Sequence, residues 1–219
     1  MELVLGIDEA GRGCVLGPLV IAGYLINENQ LEKLKDIGVK DSKLLSASER
    51  SEILQEIKKT AIAHKVIKIM PDEIDQSLSK MSLNDLEALK MTEIINAFPE
   101  ANKVIIDCPD ANVLKFKGFI YNYIKNKALH ENIIAEHKAD MNHVVVGAAS
   151  IFAKVHRDNE IERLKAELKQ NIGSGYPSDP LTKQFLEENW DKHDDIFRKS
   201  WQTWKDMKTK KLQKNLFEF

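Results

Sequence analysis

Two adjacent carboxylates, Asp8 and Glu9, follow a short apolar run near the start of the chain and have the side chains best suited to chemistry. The apolar run predicts a buried β-strand, and successive side chains of a strand point to opposite faces. Both carboxylates can therefore serve one site only if the backbone turns directly after them. Gly11 and Gly13 permit such a turn, and Arg12 adds a fixed positive charge beside it. This combination suits a metal ion and a phosphate ester.

Two more carboxylates stand where other elements are predicted to begin or end. Asp107 ends the apolar run 104–106, and Asp140 precedes a long helical pattern that starts with small residues. If the strands before Asp8 and Asp107 are parallel neighbours, their ends meet at one edge of the sheet. Taken singly, Asp140 also fits a helix cap and Asp107 a strand-end turn. Asp110 is the rival of Asp107, which is favoured because it directly ends the apolar run.

Four carboxylates without a cysteine and histidine cluster favour hard, oxygen-preferring cations such as Mg²⁺ or Mn²⁺. The six histidines have no zinc-finger spacing with the cysteines. The two cysteines, Cys14 and Cys108, are too few for a disulfide framework and predict small side chains in a reducing compartment.

The order of elements in this 219-residue chain predicts an α/β fold. Three strand patterns come first, and later strands alternate with helices, which predicts a mixed five-stranded sheet flanked by helices. We expect a domain over residues 1–177 and a helical C-terminal extension over residues 178–219. The N-terminus shows no signal segment, and the longest apolar run, residues 14–26, is too short for a membrane span. These features lead us to expect a cytoplasmic protein without a membrane partner.

Four separate blocks of the sequence resemble ribonuclease HII, the type 2 ribonuclease H family, in its archaeal form. The first block is residues 6–13, continued by residues 16–20; Cys14 stands where the family usually has proline. A later block comprises residues 138–140, residues 148–155 and Arg157-Asp158. Residues 141–143 depart from the aromatic-proline sequence that the family usually has there. The resemblance implies a ribonuclease H-like core. It also implies an acidic quartet that is catalytic and binds two Mg²⁺ or Mn²⁺ ions: Asp8, Glu9, Asp107 and Asp140.

The resemblance further implies an endonuclease that cleaves the RNA strand of RNA–DNA hybrids and nicks DNA at embedded ribonucleotides, leaving 3′-hydroxyl and 5′-phosphate ends. Ribonucleotide excision and primer removal are the corresponding roles. Three alternatives share parts of this pattern: ribonuclease HIII, a junction resolvase, and an inactive hybrid-binding module. The absence of a long N-terminal segment argues against ribonuclease HIII, and the intact quartet argues against the inactive module.

Substrate-reading residues follow from the same resemblance. The backbone of Gly11-Arg12-Gly13 would sense the 2′-hydroxyl, the group that separates RNA from DNA. Tyr176, which we expect on an exposed loop, would stack on the sugar next to the ribonucleotide, although it could instead pack that loop on the core. Four cations are candidate phosphate contacts, against the commoner role of solvated surface charges: Lys40, Lys43, Lys154 and Arg157.

The C-terminal tail resembles the peptide with which replication proteins bind the sliding clamp, PCNA. The matching residues are Gln213, Leu216, Phe217 and Phe219, with Glu218 separating two aromatics that are normally adjacent. The tail could instead be a frayed helix end, part of the core, or a basic segment that follows the DNA backbone. Apart from the clamp, we expect a monomer.

Overall fold

A computed structural model of the protein describes residues 2–39 and 45–217, the last four of these by their backbone alone. Several predicted contacts lie outside the described part: Lys40, Lys43 and Phe219 entirely, and Leu216 and Phe217 by their side chains.

One mixed five-stranded sheet has the strand order β3-β2-β1-β4-β5. The strands are β1 (Leu3–Ala10), β2 (Leu19–Asn27), β3 (Ala63–Ile69), β4 (Lys103–Asp107) and β5 (Ile133–Glu136). β1 pairs antiparallel with β2 and parallel with β4, with Ile7 opposite Ile106. β4 in turn pairs parallel with β5. The predicted mixed sheet is confirmed. The strands that end in Asp8-Glu9-Ala10 and Asp107 are parallel neighbours, which meets the condition under which their ends share one edge of the sheet.

Helices connect and cover these strands. They are α1 (Leu31–Asp36), α2 (Ala47–Thr60), α3 (Pro71–Leu78), α4 (Leu83–Ala97), α5 (Val113–Tyr123), α6 (Ala139–Asn142), α7 (Val144–Leu168), α8 (Pro180–Asn189) and α9 (Gln202–Phe217). Two of them begin with a capping box, Ser46 with Glu49 at α2 and Ser82 with Asp85 at α4. In each box the two residues satisfy N–H groups that the first helical turn leaves unpaired.

The chain forms two compact units. The first comprises the described residues of Met1–Ala10, Val20–Ile67 and Ser82–His156, and the second those of Gly11–Leu19, Lys68–Met81 and Arg157–Phe219. Each unit has its own buried apolar cluster, the first built around the sheet and α7, the second around residues such as Leu16, Ile161 and Phe197. The division at residue 177 stays a prediction.

A glycine lets β1 and α7 approach closely within the first unit. A Cβ atom built on Gly6 would overlap the backbone carbonyl of Val145 and would lie 2.8 Å from the nitrogen of Val146. Only glycine fits a contact of this kind between two backbones. The start of α7 is thereby held against β1, two residues before Asp8.

Candidate active site

Three carboxylates come together in the first unit. One oxygen each of Asp8, Asp107 and Asp140 lies within 4.8 Å of the other two. Asp8 is 4% exposed and Asp140 is 9% exposed. Asp8 lies near the end of β1, Asp107 ends β4, and Asp140 is the second residue of α6. The parallel pairing of β1 with β4 therefore brings Asp8 and Asp107 together, and α6 adds Asp140, which makes three of the four predicted carboxylates.

A tight turn after β5 brings Asp140 to the other two. Lys138 adopts the left-handed backbone conformation, with φ of 60°, and occupies the position before α6. The next residue, Ala139, donates its backbone N–H to Oδ1 of Asp107 at 3.0 Å. Asp140 follows directly, so the turn that binds Asp107 also places the third carboxylate. The position that a helix cap would occupy belongs to Lys138 and not to Asp140.

The Asp8 carboxyl is strongly perturbed by its surroundings. Its pKa is raised from 3.8 to about 7, chiefly by burial and further by the charges of Asp107 and Asp140. Ser150 and the backbone N–H of Glu9, which donates to Asp8 Oδ1 at 2.7 Å, oppose this rise. Burial has the larger effect because it removes the water that would solvate the carboxylate.

Ser150 is a site residue that the sequence reasoning missed. It lies on α7, is fully buried, and lowers the pKa of Asp8 through its hydroxyl. The only signal was its position inside the small-residue start of α7, within the block 148–155. Ser150 Oγ has no partner of hydrogen-bond geometry among the described residues, and Asp8 is 142 positions away in the chain. The effect of Ser150 on Asp8 therefore depends on how α7 crosses β1.

Glu9, the fourth predicted carboxylate, is half-buried and follows Asp8 directly. The pKa of the Cys108 thiol is raised chiefly by burial, and further by the negative charges of Asp110, Asp107 and Glu9. Asp110, the rival of Asp107, instead accepts the Asn112 N–H at 2.9 Å within its own turn. Among the residues that the structure describes, the clustered carboxylates thus include Asp107 and not Asp110.

The cluster fits a hard divalent cation. Its donor atoms are all carboxylate oxygens, the ligands that Mg²⁺ and Mn²⁺ prefer. A bound cation would also favour the charged form of Asp8, which burial disfavours. The nearby histidines are engaged elsewhere: His137 Nδ1 lies 3.0 Å from the Cys108 carbonyl oxygen, and His143 Nε2 lies 3.1 Å from Glu136 Oε1.

The predicted glycine turn is present in the second unit. Gly11 has φ of +83°, and Cys14 donates its N–H to the Gly11 carbonyl at 3.2 Å, which closes the turn. A Cβ on Gly11 would lie 2.8 Å from the Pro18 carbonyl oxygen, so both the conformation and the space require glycine. Arg12 is half-buried and Gly13 is exposed.

Tyr176 packs beside this turn. A Cβ built on Gly13 would lie 3.8 Å from the tyrosine ring, and the Arg157 guanidinium lies 5.1 Å from the ring centroid. Arg157 also donates to the Ser174 carbonyl at 2.8 Å and pairs with Asp158 at 2.8 Å. Our expectation of an exposed loop was therefore wrong for the Tyr176 side chain, which is half-buried and has its pKa raised by that burial. Gly13, Tyr176 and Arg157 come together in one place.

The remaining predicted contacts are more scattered. Lys154 is half-buried on α7 in the first unit. Gln213 is exposed on α9, whose backbone continues as a helix to Phe217. In the described residues, no helix is both long and apolar enough to cross a membrane.

Comparisons with known proteins show the family to which this chain belongs. The family model for ribonuclease HII matches residues 5–204. The chain is 43% identical to ribonuclease HII of Thermococcus sibiricus, over 98% of this chain and 96% of that protein. The ribonuclease H2 structure from Pyrococcus horikoshii superposes with a TM-score of 0.86 at 41% identity, covering 95% of this chain and 98% of that one.

A second solved structure is that of the PCNA:RNase HII complex from Archaeoglobus fulgidus. It matches with a TM-score of 0.77 at 39% identity and covers 84% of this chain and 85% of that one. The extent of these matches excludes a chance likeness in one motif. This chain belongs to the ribonuclease HII family and is a ribonuclease H, a hydrolase with endonuclease activity.

Proposed function

We propose that this endonuclease cleaves the RNA strand of RNA–DNA hybrids and nicks duplex DNA at single embedded ribonucleotides, leaving 3′-hydroxyl and 5′-phosphate ends. The observation that carries the proposal is the meeting of Asp8, Asp107 and Asp140 within 4.8 Å. Ribonucleotide excision and primer removal in the cytoplasm, by a monomer, are the corresponding roles.

Enzymes of this family depend on divalent metal ions, and the acidic cluster supports the same requirement here. We assign Mg²⁺ or Mn²⁺, two ions, to the quartet Asp8, Glu9, Asp107 and Asp140. When bound, two such ions supply an activated water for attack on the phosphorus and stabilise the departing 3′ oxygen. The carboxylates hold the negative charge that attracts the cations, and burial of Asp8 keeps competing water out of the cluster.

The glycine turn and Tyr176 supply selectivity for RNA in this proposal. The backbone groups of Gly11-Arg12-Gly13 read the 2′-hydroxyl, because the turn leaves Gly13 exposed and without a side chain. The Tyr176 ring, held by Arg157, offers a flat surface for the neighbouring sugar. Phosphate contacts are assigned to Lys40, Lys43, Lys154 and Arg157.

The test is cleavage of a labelled duplex that contains one ribonucleotide, with an all-DNA duplex of the same sequence as control. We expect nicking of the first and not the second, in Mg²⁺ or Mn²⁺. Loss of activity with EDTA and its recovery on adding metal would support the metal assignment. Absence of cleavage in both metals would reject the proposal.

The C-terminal tail is assigned to a sliding clamp. A relative of this chain has been solved as a complex with PCNA, and the backbone of three of the matching residues, Gln213, Leu216 and Phe217, belongs to α9. The contact would be made by Gln213, Leu216, Phe217 and Phe219. Such tail peptides bind modestly, because ordering them costs conformational entropy.

Deleting residues 213–219 tests the clamp assignment. We expect clamp binding to disappear while cleavage of short duplexes without clamp stays nearly unchanged. The double variant Leu216→Ala/Phe217→Ala, which keeps every lysine, separates aromatic docking from electrostatic attraction to DNA. Unfolding of the truncated protein would show that the tail belongs to the core and would reject the assignment.

A further inference from the structure

Arg198 is a buried arginine that holds the glycine turn from inside the second unit. It is 0% exposed and is the largest fully buried side chain among the described residues. Its Nη1 donates to the Arg12 carbonyl at 3.1 Å, and its Nε donates to the Gly17 carbonyl at 3.0 Å. One planar guanidinium thus joins both ends of segment 12–17, a task that suits the fixed fork of arginine donors.

The neighbouring backbone holds Arg198 in this position. Its N–H donates to the Val15 carbonyl at 2.9 Å, and the Gly17 N–H donates to the Ile196 carbonyl at 2.9 Å. The guanidinium carbon lies 4.9 Å from the centroid of the Trp201 ring, a cation–π contact. The direction of the side chain is therefore determined before any substrate binds.

This arrangement is costly for stability. Burial lowers the pKa of Arg198 to about 10, which leaves it charged at neutral pH. Its Nη2 is buried and has no hydrogen-bond partner among the described residues. A buried charge whose hydrogen bonds go only to carbonyl oxygens, and not to a carboxylate, is less stabilising than a well-packed apolar side chain of similar size. A functional reason for the arginine is therefore expected.

The geometry of the Arg12–Gly13 peptide gives a functional reason for the buried arginine. The Arg12–Gly13 peptide is trans, like every peptide bond in the described chain, so the Arg12 C=O and the Gly13 N–H lie in one plane and point in opposite directions. Because Arg198 holds the carbonyl from the buried side, the N–H of exposed Gly13 points away from the interior. We infer that Arg198 is a positioning residue that fixes the direction of the Gly13 N–H and thereby sets the selectivity for a substrate 2′-hydroxyl. This inference rests on the proposed function of the turn.

The test compares binding of two duplexes of one sequence, with and without a single ribonucleotide, in EDTA so that no turnover occurs. Arg198→Met removes both hydrogen bonds and the charge while it keeps an unbranched chain. We expect the affinity ratio between the two duplexes to fall about tenfold, as the loss of one oriented hydrogen bond predicts, with little change for the all-DNA duplex. Arg198→Lys, which offers one compact charge, should give an intermediate ratio.

Asp75→Ala is the matched control. Asp75 accepts the N–H groups of Lys199 and Ser200 at 2.7 and 3.0 Å, and its charge also favours the charged form of Arg198. Its loss therefore weakens the same chain segment but leaves in place both hydrogen bonds from Arg198 to the turn. We expect this variant to melt at a lower temperature and to keep the wild-type affinity ratio. An equal fall of the ratio in Asp75→Ala and Arg198→Met would show general damage and overturn the inference.

Two outcomes separate this inference from the proposed function. If the wild-type protein does not prefer the ribonucleotide duplex, the turn does not read the 2′-hydroxyl and both fail. If it does prefer that duplex and folded Arg198→Met keeps the preference, only the inference fails. If Arg198→Met does not fold, the affinity ratio is measured instead for Arg198→Lys and for Trp201→Leu, which removes the cation–π contact with Arg198. Wild-type ratios in both variants would overturn the inference.

Discussion

The backbone N–H of Ala139 donates a 3.0 Å hydrogen bond to Oδ1 of Asp107, 32 positions earlier in the chain. The bond joins the end of β4 to the start of α6 and so fixes the distance between Asp107 and Asp140. One carboxylate therefore has two tasks, since its charge belongs to the acidic cluster and its Oδ1 orders the turn that carries the next member.

Substitutions at Asp107 can separate these two tasks. Asp107→Asn keeps an oxygen that can accept the Ala139 N–H but removes the charge, so we expect normal folding and a fall in kcat of at least about 100-fold. Asp107→Ala also removes the acceptor and should lower the free energy of unfolding by about 1–2 kcal/mol more. Single-turnover cleavage and urea unfolding measure the two effects. Wild-type turnover in folded Asp107→Asn would contradict the assignment.

Asp8 should make the metal-free protein less stable as pH rises. Its carboxyl holds a proton up to about pH 7 in the folded protein and loses it near pH 3.8 when unfolded. Between these values the folded state binds more protons, so the free energy of unfolding falls with increasing pH. Asp8→Asn should remove this slope and stabilise the metal-free protein above pH 7 by up to about 4 kcal/mol.

Urea unfolding in EDTA at pH 5 and pH 8 measures the effect of Asp8. The difference between wild-type protein and Asp8→Asn should be larger at pH 8 than at pH 5. Equal differences at both pH values would show that Asp8 does not titrate between them.

Two glycine substitutions test the contact between β1 and α7. Gly6→Ala would place a methyl group on the Val145 carbonyl, and neither backbone can move without displacing the sheet or the helix. We expect a loss of about 3 kcal/mol or more in the free energy of unfolding. Gly118→Ala is the control, because its Cβ would meet nothing within 4 Å on α5 and should stabilise that helix by about 0.5–1 kcal/mol. Thermal unfolding distinguishes the two, and equal effects would contradict the close approach.

Tyr176 substitutions test whether the ring reads the sugar. Tyr176→Ala removes the ring that Arg157 holds and should lower kcat/KM on a single-ribonucleotide duplex about tenfold or more. Tyr176→Phe keeps the ring and should remain within about threefold of wild type, since it loses only the hydroxyl near Cys14. Steady-state kinetics on that duplex, with melting temperature as the folding check, measures both. An unchanged kcat/KM in Tyr176→Ala would contradict the proposal that the ring contacts the sugar.

Local signals allowed much of the fold to be predicted. The apolar run before Asp107 lies directly within the strand that it specifies. The parallel pairing of β1 with β4 was a condition for Asp8 and Asp107 to meet, and the structure meets it.

Contacts between distant positions could not be predicted in the same way. Ser150 reaches Asp8 because α7 crosses β1 at Gly6, and Arg198 reaches Gly17 across 181 positions. Lys138 adopts a left-handed backbone conformation, which glycine usually occupies. Because a lysine stands there, the sequence did not indicate the turn before Asp140. Each of these features depends on tertiary packing, which neither composition nor periodicity records.

The chemical nature of the product ends tests the central claim most directly. A duplex with one ribonucleotide, labelled on either side of it, is cleaved with and without divalent metal, and the ends are identified by mass spectrometry. If water attacks the phosphorus at the acidic cluster, we predict 3′-hydroxyl and 5′-phosphate ends that form only with metal. A 2′,3′-cyclic phosphate, or cleavage that persists in EDTA, would contradict the account, because the neighbouring 2′-hydroxyl and not water would then be the nucleophile.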